Sequence, residues 1–303
     1  MKFLLKWTFR LVVFVVLVVC AVVGYVYFAS SREMSKSYAV TMPTVTIPTD
    51  AASIARGKYL AEKVSMCVEC HGEDLGGKVM SNDFAFGTIA AKNLTRGRGG
   101  IGSTYTDQDF VRTLTHGVRP DGHTVVFMPS QDYHFTEADL GAIIAYVKSV
   151  PPVDREHPEK NIGPVARTLS VFAGFPLTPA SMVDHANVKF ETPVDTANPV
   201  AAGGYLVSSA GCRGCHGPDL IGGGGPPPGA ANITPIGIGD WTEQDFFTAL
   251  REHKRPNGTR IVDEMPKAFG QMSDDDLRKI FAYLKTVPPK GTKTKNQLLT
   301  AGS

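Results

Sequence analysis

The chain has 303 residues, 43% of them hydrophobic and 20% charged, with a net charge of +2. That length suits two domains, and the composition is that of a folded chain rather than a disordered or fibrous one. Setting aside Lys2, Lys6 and Arg10 leaves 28 basic against 29 acidic residues, so nothing points to a nucleic-acid surface.

From Leu11 to Ala29 the sequence is apolar and uncharged, about long enough to cross a bilayer as a helix. Lys2, Lys6 and Arg10 precede the run, while Arg32, Glu33 and Lys36 follow it. The positive-inside rule keeps the N-terminus in the cytoplasm and places residues 32–303 outside. A cleaved signal peptide is the alternative. Its apolar region is usually shorter, and no clean small-x-small site follows, so residues 1–31 are expected to be an uncleaved anchor. Cys20 reads as a membrane cysteine, because Val19 is not the small residue that a lipidation site wants. A linker over 32–50 follows.

The remainder repeats itself. Ala55-Arg-Gly-Lys-Tyr-Leu60 matches Ala202-Gly-Gly-Tyr-Leu206, and Cys67-Val-Glu-Cys-His-Gly72 matches Cys212-Arg-Gly-Cys-His-Gly217. Ala91-Lys-Asn-Leu-Thr95 matches Ala230-Ala-Asn-Ile-Thr234, and Tyr105-Thr-Asp-Gln-Asp-Phe110 matches Trp241-Thr-Glu-Gln-Asp-Phe246. Arg119-Pro-Asp-Gly122 pairs with Arg255-Pro-Asn-Gly258, Met128-Pro129 with Met265-Pro266, and Val150-Pro-Pro152 with Val287-Pro-Pro289. The units so defined are 51–154 and 199–289, joined by a linker over 155–198 and followed by a polar tail, 290–303, expected to be disordered.

Each unit is expected to hold three helices, with few strands. The last helix is marked by Leu140, Ile143, Ile144 and Val147, and again by Leu277, Ile280, Phe281 and Leu284, at i, i+3, i+4, i+7. Thr136 and Ser273 are its expected N-caps, and the Pro-Pro pairs stop it. The middle helix is expected to start at Thr106 or Thr242, with acidic residues in its first turn. An apolar patch over 165–177 is expected to pack between the units, with a docking site as the alternative. The many loop residues, 31 Gly and 21 Pro, imply long structured loops wrapped around something other than a side-chain core.

Cys-x-x-Cys-His occurs twice and signals covalent attachment of haem. On a helix, Cys67, Cys70 and His71 share one face, so two thiols reach the porphyrin edge while the imidazole reaches the iron. Cys212, Cys215 and His216 repeat the set. A zinc ribbon would need its two cysteine pairs much closer, and a thioredoxin-type pair would need a βαβ setting. Two covalent haems c are therefore expected.

For the sixth iron ligand the first unit offers Met80, Met128, His116, His123 and His134, and the second Met265, Met272 and His253. Only Met128 and Met265 match each other, both before proline. They are the expected ligands, and methionine ligation favours reversible electron transfer. Arg119, Arg255, Tyr105, Trp241, Asn93 and Asn232 also recur, either to hydrogen-bond propionates, to brace the haem loops or to shape turns. The Nδ1–H partner of each histidine is open; carbonyls near Pro226–Pro228 are candidates in the second unit only.

Over residues about 50–290 the sequence resembles tandem class I c-type cytochromes. It looks most like the membrane cytochrome c subunits of bacterial alcohol, aldehyde and sugar-acid dehydrogenases. Arg56-Gly-Lys-Tyr-Leu60, the two attachment motifs, Ala231-Asn-Ile-Thr-Pro235, Ile238-Gly-Asp-Trp-Thr-Glu-Gln-Asp-Phe246, Met265-Pro266 and Phe281-Ala-Tyr-Leu284 carry the resemblance. It implies an all-α fold of two cytochrome c modules behind a transmembrane helix, and contacts of Gly57 with Tyr146 and of Gly203 with Tyr283. It also implies electron passage from a periplasmic or membrane dehydrogenase to quinone or an oxidase. Such subunits carry three haem modules where this chain has two.

The expectation is thus a non-catalytic dihaem carrier, single-pass in a bacterial cytoplasmic membrane, its soluble part in the periplasm and its partner a dehydrogenase or oxidase. A relay subunit of a cbb3-type oxidase is the first alternative. A dihaem peroxidase or sulfur-compound oxidoreductase is the second, and needs an iron with an open or displaceable sixth position.

Overall fold

The computed structural model describes residues 2–223, 229–294 and 297. Helix α1 (Lys2–Met34) is, among them, the one helix long and apolar enough to cross a membrane. The first unit holds α2 (Ala51–Tyr59), running on into a π-turn at Leu60–Val64, then α3 (Cys67–His71). An antiparallel hairpin follows, β1 (Val79–Asp83) and β2 (Gly87–Ala90), then α4 (Asp107–His116) and α5 (Glu137–Ser149). The connection supplies β3 (Asn161–Ile162), antiparallel to β2, and α6 (Pro164–Ala173). The second unit holds α7 (Pro199–Ser209), α8 (Cys212–His216), α9 (Pro235–Ile238), α10 (Glu243–Arg251) and α11 (Asp274–Thr286). The fold is helical, as expected. Each unit has more helices than three, because the attachment motif is itself a one-turn helix and α9 adds another.

The expected caps are in place. Thr106 and Thr242 each accept from the N3 backbone N–H, while Asp109 and Asp245 reach back to the cap, a reciprocal pair that satisfies donors left open at a helix start. Thr136 and Ser273 cap α5 and α11 in the same one-way manner.

In each unit the first and last helices cross at a glycine. A Cβ at Gly57 would lie 1.9 Å from the Ala142 carbonyl oxygen, and one at Gly203 1.9 Å from that of Lys279. Tyr283 stands over the second crossing as expected, with its own Cβ 2.9 Å from that position. At Gly57 the nearest atoms are instead backbone of Ala142 and Ile143, not Tyr146. Tyr146 turns to donate its hydroxyl to Glu62 Oε1 at 2.7 Å.

The two units pack together in an isologous way. The Tyr205 hydroxyl receives the Thr136 N–H at 3.3 Å and donates to Asp139 Oδ2 at 2.6 Å. The Tyr59 hydroxyl receives the Ser273 N–H at 3.1 Å and donates to Asp276. Each unit's first helix thus serves the start of the other unit's last helix, which is the signature of a two-fold relation. Buried Ser65 Oγ adds a bond to the Ser209 carbonyl at 3.0 Å. Tyr59→Phe and Tyr205→Phe are each expected to cost about 1 kcal/mol, additively, since a part-buried hydrogen bond is worth about that. Urea unfolding checks this; no loss in either variant would remove these bonds from the interface account.

The patch at 165–177 is elsewhere than expected. Helix α6 packs on α1, not between the units. Arg167 donates to Ser30 Oγ at 2.9 Å and Ser31 Oγ at 3.0 Å, its guanidinium 4.8 Å from the Tyr27 ring centroid. Its inner face, Ala166, joins Ile89, Ile162 and Leu177 in a small core against the sheet. An apolar run asks for cover but does not name what supplies it.

Part of the expected disordered tail is held. The Lys290 and Thr292 carbonyls accept from Asn232, and Gln297 Nε2 donates to the Asn232 carbonyl at 2.8 Å. Residues 295–296 and 298–303 lie outside the described residues.

The connection also contributes His185, whose Nδ1 meets Nδ1 of His116 at 2.9 Å, the rings stacked at 5.2 Å. The Tyr38 ring closes over His185. His116 is 1% exposed, and neither Nε2 has a partner among the described residues. Burial, with His185 adding, depresses His116 to about 4. A depressed histidine is neutral when folded but protonated when unfolded between the two values. Stability is therefore full above about pH 6.5 and falls as pH drops toward 4, by about 3 kcal/mol for this site. Unfolding at pH 7 and pH 4.5 should show that slope in the wild type and a smaller one in His116→Gln; equal slopes would refute it.

Candidate haem sites

Each attachment motif forms the one-turn helix that its spacing requires. Desolvation, with the neighbouring Cys70 and Cys215 thiols adding, pushes Cys67 and Cys212 up to about 12, so both are thiols rather than thiolates. Burial likewise raises Cys70 and Cys215.

The histidines carry the clearest geometry. His71 Nδ1 lies 2.8 Å from the Lys92 carbonyl oxygen, and His216 Nδ1 2.7 Å from that of Ala231. A carbonyl only accepts, so in both rings Nδ1 bears the proton and Nε2 keeps its lone pair. Burial holds both imidazoles below their ordinary range, against the opposing pull of those carbonyls. A neutral, oriented ring with a free Nε2 is what a metal-ligating histidine needs.

Sequence reading missed these carbonyls. Pro226–Pro228 lie outside the described residues; the acceptors stand immediately before the repeated Asn93 and Asn232. That shared position was the available signal. Both asparagines are fully buried. Asn93 Nδ2 donates to the Val153 and Arg155 carbonyls, and Asn232 Nδ2 to those of Lys290 and Thr292. Their Oδ1 atoms accept from Thr95 and Thr234. They tie the loop that orients the histidine to the chain leaving the last helix, which is the bracing role rather than the propionate one.

The second unit encloses a cavity of about 290 Å³. Cys212, Cys215 and His216 lie on its wall with Met265, and Trp241, Phe246, Leu250 and Phe269 make it apolar. Met272 also lines it, fully buried at the position before the Ser273 cap, where the first unit has buried Phe135. Met265 is half-buried and precedes Pro266 and a 3₁₀ turn at Lys267–Gln271. Met128 is half-buried too, before Pro129 and a 3₁₀ turn at Ser130–Asp132. Met80 is 49% exposed on β1, and His134 is exposed. His116 is engaged by His185, and His253, buried, is not among the residues that line the cavity.

Arg255 lies on the cavity wall, 8% exposed. It donates to the Arg260 carbonyl at 2.6 Å and to Thr259 Oγ1 at 3.3 Å, both neutral. Burial lowers its guanidinium from the ordinary range. A buried cation facing an apolar cavity fits a group with an anionic edge. Arg119 makes the same turn in the first unit but is exposed and paired with Asp121 at 3.1 Å. Two thiols, a metal-competent imidazole, a thioether and this cation around an apolar slot match the donor set of covalent haem.

The two sites are neighbours. Met66, just before Cys67, lines the second cavity. The Tyr133 ring lies 3.3 Å from where a Cβ on Gly211 would stand, and Asp132 presses on Gly214. Burial, then the nearby Cys67 and Cys70 thiols, raise the Tyr133 hydroxyl far above its usual range; Cys215 is near as well.

Comparisons with known proteins agree with this geometry. Residues 200–288 match a cytochrome c family model, and residues 52–147 match one for cbb3-type cytochrome c oxidase subunit III. The chain is 30% identical over 275 residues to the cytochrome c subunit of a quinone alcohol dehydrogenase from Gluconacetobacter polyoxogenes, covering 79% of this chain and 57% of that one. It is 30% identical over 277 residues to the fructose dehydrogenase cytochrome subunit of Gluconobacter japonicus, covering 82% and 56%. A dihaem c-type cytochrome of Cereibacter sphaeroides is 28% identical over 256 residues, covering 73% and 82%. The chain thus spans little more than half the length of the dehydrogenase subunits it matches. With a cytochrome c domain in each half, it belongs to the tandem class I c-type cytochromes.

Proposed function

We propose that this protein is a membrane-anchored electron carrier with two covalent haems c and no substrate of its own. Haem supplies reversible one-electron chemistry at iron. The chain supplies the rest. Cys67, Cys70, Cys212 and Cys215 would attach it, His71 and His216 would hold the irons through Nε2, and Met128 and Met265 would each supply a further ligand. Arg255 would neutralise a propionate at the wall of the apolar second cavity. The observation that carries this reading is the matched pair of oriented imidazoles, with His216 and Met265 on the wall of one cavity in the second unit.

With α1 across the cytoplasmic membrane and the remainder in the periplasm, the carrier is confined near membrane partners, which raises their effective concentration. The dehydrogenase-subunit relatives favour a dehydrogenase as donor and a respiratory quinone or oxidase as acceptor. The match of residues 52–147 to an oxidase subunit favours a second reading, a relay within a cbb3-type oxidase. Co-purification with a copper–haem oxidase instead of a dehydrogenase would decide for it.

Absorption spectra test the ligands. The oxidised protein should show the methionine–iron(III) charge-transfer band and bind no carbon monoxide when reduced. Met128→Ala and Met265→Ala should each remove about half the band and open one haem. A wild-type haem that binds carbon monoxide would instead mark an open site and favour a catalytic haem.

A further inference from the structure

Helix α6 has a side that nothing among the described residues covers. Val165, Leu169 and Phe172 stand at i, i+4 and i+7, one stripe along the helix. Val165 is 40% and Phe172 61% exposed, while Ala166 on the other side is fully buried. The helix is held from two directions, by the small sheet and by α1.

The contacts with α1 give its direction. Arg167 reaches Ser30 and Ser31, whereas Phe172, five residues on, lies beside Tyr25, their ring centroids 6.4 Å apart. Moving forward along α6 is moving backward along α1, so the C-terminal end of α6 points to the membrane. Tyr25 lies four residues inside the apolar run that ends at Ala29, a depth of about 6 Å at the rise of a helix. Interfacial helices bury their apolar face by about 5–10 Å. Gly174 then reverses the chain in the left-handed conformation, and a Cβ there would meet nothing within 4 Å. The stripe meets the exposed surface of α1 where Phe172 lies beside Tyr25, and Arg167, on the side turned to Ser30 and Ser31, sits at the level where head groups begin.

We infer that α6 is a second membrane contact: its C-terminal turn, led by Phe172, enters the outer interface of the bilayer that α1 crosses. This rests on the reading of α1 as a membrane span. The effect is orientation. One helix tethers a domain but leaves it free to swivel; a second, rigidly attached contact fixes which face of the first unit looks along the membrane.

The test is photolabelling of the full-length holoprotein in vesicles of phosphatidylethanolamine and phosphatidylglycerol. The probe is a phospholipid with a diazirine near the top of its acyl chain. Trypsin releases 168–189 as one peptide, read by mass spectrometry. The reference is the peptide carrying Val262, an exposed apolar residue of the second unit. Residues 169–173 are expected to carry about tenfold more label than the reference, with α1 labelled as well, and Phe172→Asp to reduce it severalfold. Label in α1 with none above reference at 169–173 would overturn the inference and leave the anchor standing; a partner protein would then be the cover. Absence of label from both would overturn the span and this contact together.

Discussion

Alanine at Gly203 is expected to unseat the second module, while alanine at the adjacent Gly204 is expected to be tolerated. A Cβ on Gly203 would stand 1.9 Å from the Lys279 carbonyl oxygen and 2.5 Å from its carbon. That neighbour is helix backbone, which cannot yield alone. Helices α7 and α11 would have to separate along their shared length, loosening Leu206, Leu277, Ile280 and Leu284 together. Overpacking commonly costs about 1–3 kcal/mol, and a backbone obstacle places this case at about 3 kcal/mol or beyond. A Cβ on Gly204 would meet the outer ring atoms of Tyr283 at 3.0 Å, a side chain that can swing. The checks are urea unfolding and haem content by intact mass. Gly203→Ala should yield much single-haem protein and Gly204→Ala the full complement. Equal behaviour of the two would mean that the close approach is not what the first glycine is for.

The second large effect concerns Asn232. Replacing it with aspartate preserves shape and the acceptor for Thr234, but the two donated bonds, at 2.8 and 3.2 Å, are lost. The Lys290 and Thr292 carbonyls would then face a buried carboxylate. Leaving such groups unpaired costs about 1–3 kcal/mol each, so a loss of about 3–4 kcal/mol is expected at pH 7. The carboxyl would hold its proton more tightly folded than unfolded. Its penalty is therefore present at neutral pH and fades as pH falls through that raised value, since a protonated carboxyl donates one bond. Unfolding of Asn232→Asp should approach wild type at pH 4.5, whereas Asn232→Ala should stay low throughout. If the aspartate variant shows no such recovery, the two carbonyls are not what the side chain serves.

What the sequence disclosed, and what it withheld, divides along range. The attachment helices, the caps at Thr106, Thr136, Thr242 and Ser273, and the breaks at the Pro-Pro pairs rest on neighbours within one turn, and repetition doubled each signal. The carbonyls of Lys92 and Ala231 were withheld because backbone acceptors carry no residue code. The hairpin at 79–90 was withheld because it lacks alternation and its sequence is not among the repeated segments. The patch at 165–177 was expected between the units, with a docking site as the alternative, yet it packs on α1, since an apolar run does not name what lies against it. Tyr59 and Tyr205 were visible as repeated residues, but only the fold shows that each reaches into the other half.

That exchange of tyrosines has a consequence. Two separate copies joined this way would part on dilution, and every change would fall on both at once. Here the joint lies inside a single chain, so association no longer depends on concentration, and symmetry no longer obliges the halves to stay alike. The divergence is already visible. Arg56 clasps Asp139 through two bonds, yet the corresponding place before Gly203 is taken by Ala202, leaving Asp276 to the tyrosine. Buried Arg255 and exposed Arg119 differ in the same manner. On the proposed dihaem reading, an internally paired cytochrome holds its two redox centres on one chain while tuning each independently, a freedom denied to a dimer of identical chains.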